Sequence, residues 1–282
     1  LVTRPRKCLL IGDTNQLPAT VISPHATKLR FDRSLMWRLL EDCKQQYSML
    51  ITQYRMHPAI RLWPSKQYYQ ARIQDSSEIA SGKRVFLTTK EVPPFIAPYS
   101  FIHLEGQETK SGRSFRNQQE ADSIVTILQY LKNHLSLNVA SQVGVITFYK
   151  GQALLINEKI SKVFPGIKVN TVDSFQGDEN DIIIISSVRS NARGKIGFLN
   201  DFRRLNVALT RAKHGLIIVG NAYTLEKEKH DLALLISDAQ KRKCFYLYNE
   251  IKAHLDPKPK PLAFDVERAK KSILRIAPTF SP

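Results

Sequence analysis

The sequence predicts an α/β protein built on a parallel sheet with helices on both faces. Three observations lead there. Short apolar runs recur along the 282 residues, each followed by a polar or glycine-bearing loop and then by a segment with helical spacing. The run Ile182–Val188, IIIISSV, is rich in β-branched residues and lacks in–out alternation, as a central strand buried on both faces should. Hydrophobic residues make up 43% of the chain and charged ones 24%, which suits a packed globular core, and no stretch has the unbroken apolar length needed to cross a bilayer.

The predicted strands are Cys8–Ile11, Ser48–Ile51, Phe101–Leu104, Val143–Thr147, Lys168–Val172, Ile182–Val188 and Leu216–Val219. Helical patterns lie between them at Ser34–Cys43, Ala59–Tyr69 with Pro64 interrupting, Asn117–Leu135, Gly151–Phe164, Asp201–Ala212 and Leu225–Arg242. Residues 72–98 lack a pattern, contain PPFIAP and read as a long loop. The stretch Thr20–Phe31 reads as an interdomain linker. Residues 1–25 would then end one domain and 26–250 form a second, while 251–282, with alternating Lys and Pro, read as a disordered basic tail.

Forty-two basic against 25 acidic residues give +17 and a pI near 9.8, pointing to a polyanionic partner. Three cysteines without paired short spacing argue against a disulfide framework or a zinc site, so no metal ligand is expected and a reducing compartment fits. The opening LVTRPRKCLLIG has neither a start methionine nor a signal peptide's apolar run, and reads as the middle of a longer protein.

Ligands of open parallel sheets bind outside the carboxyl ends of the strands, so loops after the apolar runs carry the candidate chemistry. The turn Gly12–Pro18, GDTNQLP, holds the Gln16 amide next to the Asp13 carboxylate; such an amide can orient a water beside a phosphate, although the same residues would also make a surface turn. In QYRMHP, Gln53–Pro58, Tyr54 offers a flat face for a base and Arg55 a fork of donors for phosphate oxygens. His57 and Pro58 there read as a helix start. In NTVDSFQGDEND, Asn170–Asp181, Thr171 and Ser174 present hydroxyls, Gln176 an amide and Gly177 close backbone approach. The acidic residues of that segment precede a strand, so Glu179 suits a ribose hydroxyl better than a magnesium ion. In DFRRLNVALTRAKHG, Arg203, Arg204 and Lys213 fit an ordinary amphipathic helix, while Arg211 near the helix end is placed to act as a finger on a transferring phosphate. The chain contains no G-x-x-x-x-G-K-[ST] phosphate loop, so alone it should not hydrolyse ATP.

GDTNQLPATV, QYRMHP, NTVDSFQGDENDIIIISSVRSN and DFRRLNVALTRAKHG, in this order over roughly residues 1–245, resemble motifs III to VI of superfamily 1 helicases, in the branch of senataxin and the nonsense-mediated-decay helicase. The resemblance implies RecA-like P-loop folds: the end of a first RecA-like domain and a complete second one, with ATP between the two and single-stranded RNA or DNA across their tops. It implies that Gln16 senses the γ-phosphate, that Tyr54 stacks on adenine, that Arg55 and Arg211 act as fingers and that Glu179 holds the ribose, with Gly12, Asp13, Gln176 and Gly177 also lining the nucleotide site. Thr171, Ser174, Tyr149, Lys150 and Arg189 fall on the nucleic-acid side. Mg2+ would be held mainly by the upstream RecA-like half, the main protein partner of a monomer without membrane association. The branch implies a nuclear, or else cytoplasmic, enzyme moving 5′ to 3′. Ala19 departs from the pattern, which often has a second proline after QLP, and Asp178 stands where basic or neutral residues are frequent. A second reading, a nucleic-acid-binding module that has lost its motor, predicts loss of Gln16, Arg55 and Arg211; all three are present.

Overall fold

The computed structural model describes residues 6–82 and 92–255. The chain divides into two compact units, Leu1–Ile51 and Thr52–Pro282. In the first, the Ser23 hydroxyl accepts from the Ala26 N–H (3.3 Å) to start helix α1, Pro24–Lys28, with Pro24 in its first turn. The Ser34 hydroxyl accepts from the Trp37 N–H (3.0 Å) to start α2, Leu35–Trp37, which widens into a π-helical turn at Arg38–Asp42. Cys8–Ile11 and Ser48–Ile51, expected as strands, are not strands: Leu9, Ile11 and Leu50 are exposed, and among the described residues no neighbouring strand takes up their backbone groups. The break between these compact units falls at Ile51 and Thr52.

The second unit opens with β1, Thr52–Gln53, and helix α3, Pro58–Tyr68. His57 caps α3 by accepting the Ala59 N–H on Nδ1 (3.1 Å), and Pro58 fills the first helical position, where no N–H is needed. The chain then forms β2, Gln74–Asp75, parallel to β1, and the short helix α4, Ser77–Ala80. The predicted loop at 72–98 thus holds two short elements and a 3-10 turn, Pro94–Ile96, whose Phe95 and Ile96 are fully buried; residues 83–91 lie outside the described residues.

Beyond β3, Tyr99–His103, an antiparallel hairpin of β4, Glu108–Ser111, and β5, Ser114–Asn117, leads into α5, Gln118–His134. Then come α6, Val139–Gln142; β6, Val143–Thr147; α7, Lys150–Ile160; β7, Lys168–Thr171; β8, Asn180–Ser186; α8, Phe202–Leu209; β9, Ala212–Gly220; α9, Ala222–Leu225; α10, Asp231–Lys241; β10, Phe245–Leu247; and α11, Tyr248–Leu255. The helix α11 continues past Ile251, where the sequence reading began the tail, because Ile251 and Leu255 have an apolar core to enter; residues 256–282 lie outside the described residues.

Six strands form one parallel sheet in the order β10-β3-β9-β8-β6-β7. As its composition predicts, β8 is interior, flanked by β9 and β6, and Ile182, Ile183, Ile184 and Ile185 are all buried. Each such side chain contributes roughly 1.5–3 kcal/mol by leaving water. Successive side chains point to opposite faces. Ile182 and Ile184 join Ile124, Leu128 and Leu131 of α5 and Ile156 of α7 in one core. On the other face α10 packs on β3, where the Tyr99 hydroxyl donates to the Leu235 carbonyl (3.3 Å). Helices therefore cover both faces of a parallel sheet, the RecA-like arrangement. No helix among the described residues is long and apolar enough to cross a membrane.

Candidate functional site

A basic cluster forms at the amino edge of the sheet. The loop Gln53–His57 is shaped by one side chain: Gln53 donates to the Met56 carbonyl (2.7 Å) and Asp75 Oδ1 (2.6 Å), and accepts from the N–H groups of Arg55 (2.9 Å) and Met56 (2.7 Å). The His57 N–H donates to the Lys213 carbonyl (2.7 Å), tying this loop to the start of β9. Arg55 pairs through Nε with Glu179, just ahead of β8, and donates from Nη1 to the Thr210 carbonyl (3.1 Å). Lys213 reaches the same Glu179 carboxylate at 3.2 Å. Burial pushes Glu179 up, but the hydrogen bonds and charges of Arg55 and Lys213 outweigh it and bring its carboxyl below the usual range.

Arg211 lies against this group, 4% exposed, donating from Nε to the Val207 carbonyl (3.0 Å) and from Nη2 to Thr210 Oγ1 (3.1 Å). Burial, and then the Arg55 charge beside it, depress its guanidinium to about 10. Two cations, Arg55 and Lys213, thus pair with one carboxylate and a third, Arg211, lies beside Arg55, leaving an excess of positive charge suited to phosphate oxygens. Tyr54, 67% exposed, stands on the same loop, and Gln176 and Gly177 are exposed on the segment leading to Glu179. Gly177 has φ +92°, a conformation that favours glycine. Glu179 precedes β8, as its place in the sequence implies, and the structure puts Arg55 and Arg211 at the same amino edge, Arg211 immediately ahead of β9 and the Arg55 loop tied to β9 through His57.

The carboxyl edge carries the second set. Lys150 is exposed at the first position of α7, and Thr171 and Ser174 share a hydrogen bond (3.3 Å) where β7 ends. Tyr149 and Arg189 are turned inward. Tyr149 is 2% exposed and its hydroxyl donates to the Ile196 carbonyl (3.0 Å). Arg189, 6% exposed, grips Glu108 with two bonds (2.9 and 3.1 Å), donates to the Tyr149 hydroxyl (3.2 Å) and lies 4.4 Å from the centre of the Phe115 ring. Burial alone would raise the Glu108 carboxyl, yet Arg189, Asn191 and the Ser190 N–H hold it below the usual range. Read as strand contacts from the sequence, Tyr149 and Arg189 instead brace this edge from within.

Glu108 and Phe115 belong to the β4–β5 hairpin, which the sequence reading missed. Its one signal was the dipeptide Ser111-Gly112, with Gly112 at φ +59°. The hairpin is anchored by the Gly151 N–H donating to Ser114 Oγ (3.0 Å) and exposes Lys110, Arg113 and Arg116.

In the first unit, Asp13 organises the expected turn: its carboxylate accepts from the Asn15 N–H (2.9 Å) and from the Gln16 amide (2.8 Å), and its carbonyl from the Gln16 N–H (3.2 Å). A side chain on Gly12 would meet Met36 Sδ at 3.2 Å, so this turn packs closely on α2. Among the described residues no group of three or more His, Cys, Asp or Glu side chains is arranged to hold a metal ion.

A family model described as "AAA domain" matches residues 31–223. Similar proteins include helicase sen1 of Schizosaccharomyces pombe, 40% identical over 246 residues, which are 84% of this chain and 14% of that protein. The probable helicase senataxin of Homo sapiens is 36% identical over 86% of this chain and 9% of its own length. The regulator of nonsense transcripts 1 homolog of Drosophila melanogaster is 38% identical over 81% of this chain and 20% of its own length. The chain thus spans less than a quarter of each of these relatives.

Proposed function

The chain belongs to the superfamily 1 helicases, in the branch of senataxin and the nonsense-mediated-decay helicase, and from that premise we propose that it is the C-terminal part of an ATP-driven motor moving 5′ to 3′ on single-stranded RNA or DNA. The observation that carries this reading is the meeting of Arg55, Arg211 and Lys213 around Glu179. Two cations on one carboxylate with a third beside them leave a net positive sheet edge that complements a triphosphate, which fits ATP. In this reading an upstream RecA-like domain holds ATP and Mg2+ on its phosphate loop, and ATP supplies the free energy of γ-phosphate cleavage.

The residues of this chain have distinct tasks. Tyr54 presents its ring to adenine, Glu179 accepts from the ribose hydroxyls, and Gln176 and Gly177 line the same wall. Arg55 and Arg211 stabilise charge on the transferring phosphate, a role worth ~10³ to 10⁵ in turnover. Gln16 senses the γ-phosphate and the attacking water, and Gly12 and Asp13 serve as nucleotide-lining residues. At the opposite edge Lys150, Thr171 and Ser174 hold phosphates of the strand, while Tyr149 and Arg189 fix the loops that carry them. Domain closure on ATP and release after hydrolysis then move the strand past these donors. We assign residues 1–25 to the end of the first RecA-like domain and 26–250 to the second, and expect a monomeric nuclear enzyme.

In the full-length protein, Arg55→Ala should lower nucleic-acid-stimulated ATP hydrolysis by about a thousandfold while oligonucleotide affinity stays within about threefold. Retained hydrolysis, or equal loss of hydrolysis and binding, would overturn the reading.

A further inference from the structure

Between the strand-facing donors stands an aromatic ring that neither the sequence motifs nor the proposed motor uses. Phe198 is 57% exposed, although its neighbours Ile196 and Leu199 are 4% and 2% exposed. The turn that displays it, Gly197–Asn200, is held from below: the Tyr149 hydroxyl donates to the Ile196 carbonyl (3.0 Å). Gly197, at φ +58°, sits so close that an added Cβ would lie 2.7 Å from the Tyr149 hydroxyl and 2.8 Å from Arg189 Nη1. The inward-turned pair therefore clamps the backbone that presents Phe198.

The surroundings of the ring are those of a nucleic-acid surface. It lies 5.7 Å from the Tyr149 ring, and Tyr149 leads directly into exposed Lys150. The Arg204 guanidinium lies 5.6 Å from its centre and pairs with Asp173 (3.0 Å), the residue before Ser174. Arg193 and Lys195 are exposed on the segment leading into the turn. Phe198 thus occupies the ground between the β6–α7 loop and the β7–β8 loop. A strand whose phosphates lie on Lys150 and Ser174 would place its bases over this ground. An exposed phenyl ring gains nothing from phosphates but stacks on any base, whatever its identity.

We infer that Phe198 is a stacking platform for a nucleobase of the bound strand, gripping it without reading sequence; this rests on the nucleic-acid reading above. The contact is indifferent to the sugar, so RNA and DNA use it alike.

The test compares two fluorescein-labelled probes of equal length, a mixed-sequence single-stranded oligonucleotide and an abasic sugar-phosphate chain, by anisotropy across a salt series. Phe198→Ala should weaken oligonucleotide binding about 5- to 100-fold. It should leave the salt dependence and the affinity for the abasic chain unchanged, and Phe198→Trp should restore binding. An oligonucleotide affinity equal to wild type, or an equal loss on both probes, overturns the platform while leaving the nucleic-acid reading intact. Failure of the wild-type chain to bind either probe overturns both.

Discussion

Glu120→Gln removes a single charge from the centre of the protein and makes its energetic role measurable. Glu120 is fully buried at the start of α5. Its Oε2 accepts from the Ser186 hydroxyl (2.6 Å) and the Val188 N–H (2.9 Å), and its Oε1 from Ser187 Oγ and Asn117 Nδ2 (both 3.4 Å). Those bonds hold the backbone beyond β8, where Val188 has φ +71°, an unfavourable angle for a β-branched residue. Burial raises the carboxyl, the hydrogen bonds only partly offset it, and it titrates at about 7 instead of 4.5. The sign follows from linkage. Between these two values the folded chain binds a proton that the unfolded chain releases, so stability falls as pH rises through the window. At ~1.4 kcal/mol per unit, the loss between about pH 5 and about pH 8 is roughly 2–3 kcal/mol. Gln accepts the same two strong bonds and cannot ionise. Urea unfolding at both pH values should therefore give the wild type a loss about 2–3 kcal/mol larger than that of Glu120→Gln, with all other groups cancelling in the comparison. Equal pH slopes for the two proteins would show that Glu120 does not carry the pH dependence.

Gln53→Ala removes four hydrogen bonds from the Arg55 loop; we expect a loss of about 2 kcal/mol in denaturant unfolding and at least roughly tenfold slower ATP turnover in the full-length protein, whereas unchanged turnover would separate loop shape from chemistry. Gly197→Ala drives a methyl into Tyr149 and Arg189 at a positive φ, and scanning calorimetry should register a loss of about 1–3 kcal/mol; an unshifted transition would show the clamp to be loose.

The strands β3, β6, β8 and β9 were legible because each carries a dense apolar run that a sheet interior accommodates, and β7, at the sheet edge with Val169 its one buried residue, was legible from its place between the α7 pattern and the next apolar run. Cys8–Ile11 has the same composition, yet a strand exists only beside another strand, and composition does not say whether one is there. The Glu108–Asn117 hairpin was illegible for the opposite reason: its residues are mostly polar and it folds as an appendage rather than a layer. Missing it hid the fate of Arg189, whose partner Glu108 lies in that hairpin. Asn117 and Glu120 have the residue types and spacing of a helix cap in which the acid reaches back to the cap N–H. In the structure Gln152 accepts the Asn117 N–H (2.8 Å), freeing Glu120 to enter the core, and no local pattern records that exchange. Arg55 and Arg211 were singled out separately; their meeting at the amino edge depends on the crossover that brings the loop before α3 beside the start of β9, which is tertiary information.

If guanidinium groups of this chain stabilise the transferring phosphate, they bind a transition-state mimic more tightly than a ground-state nucleotide. This preference is tested most directly by measuring the affinity of full-length protein for ADP–aluminium fluoride, which imitates the transition state, against a non-hydrolysable ATP analogue, with and without Arg211→Ala. Arg211→Ala should weaken binding of the transition-state mimic about a thousandfold and change that of the ground-state analogue little. Equal affinities for both ligands before and after the substitution would contradict this role.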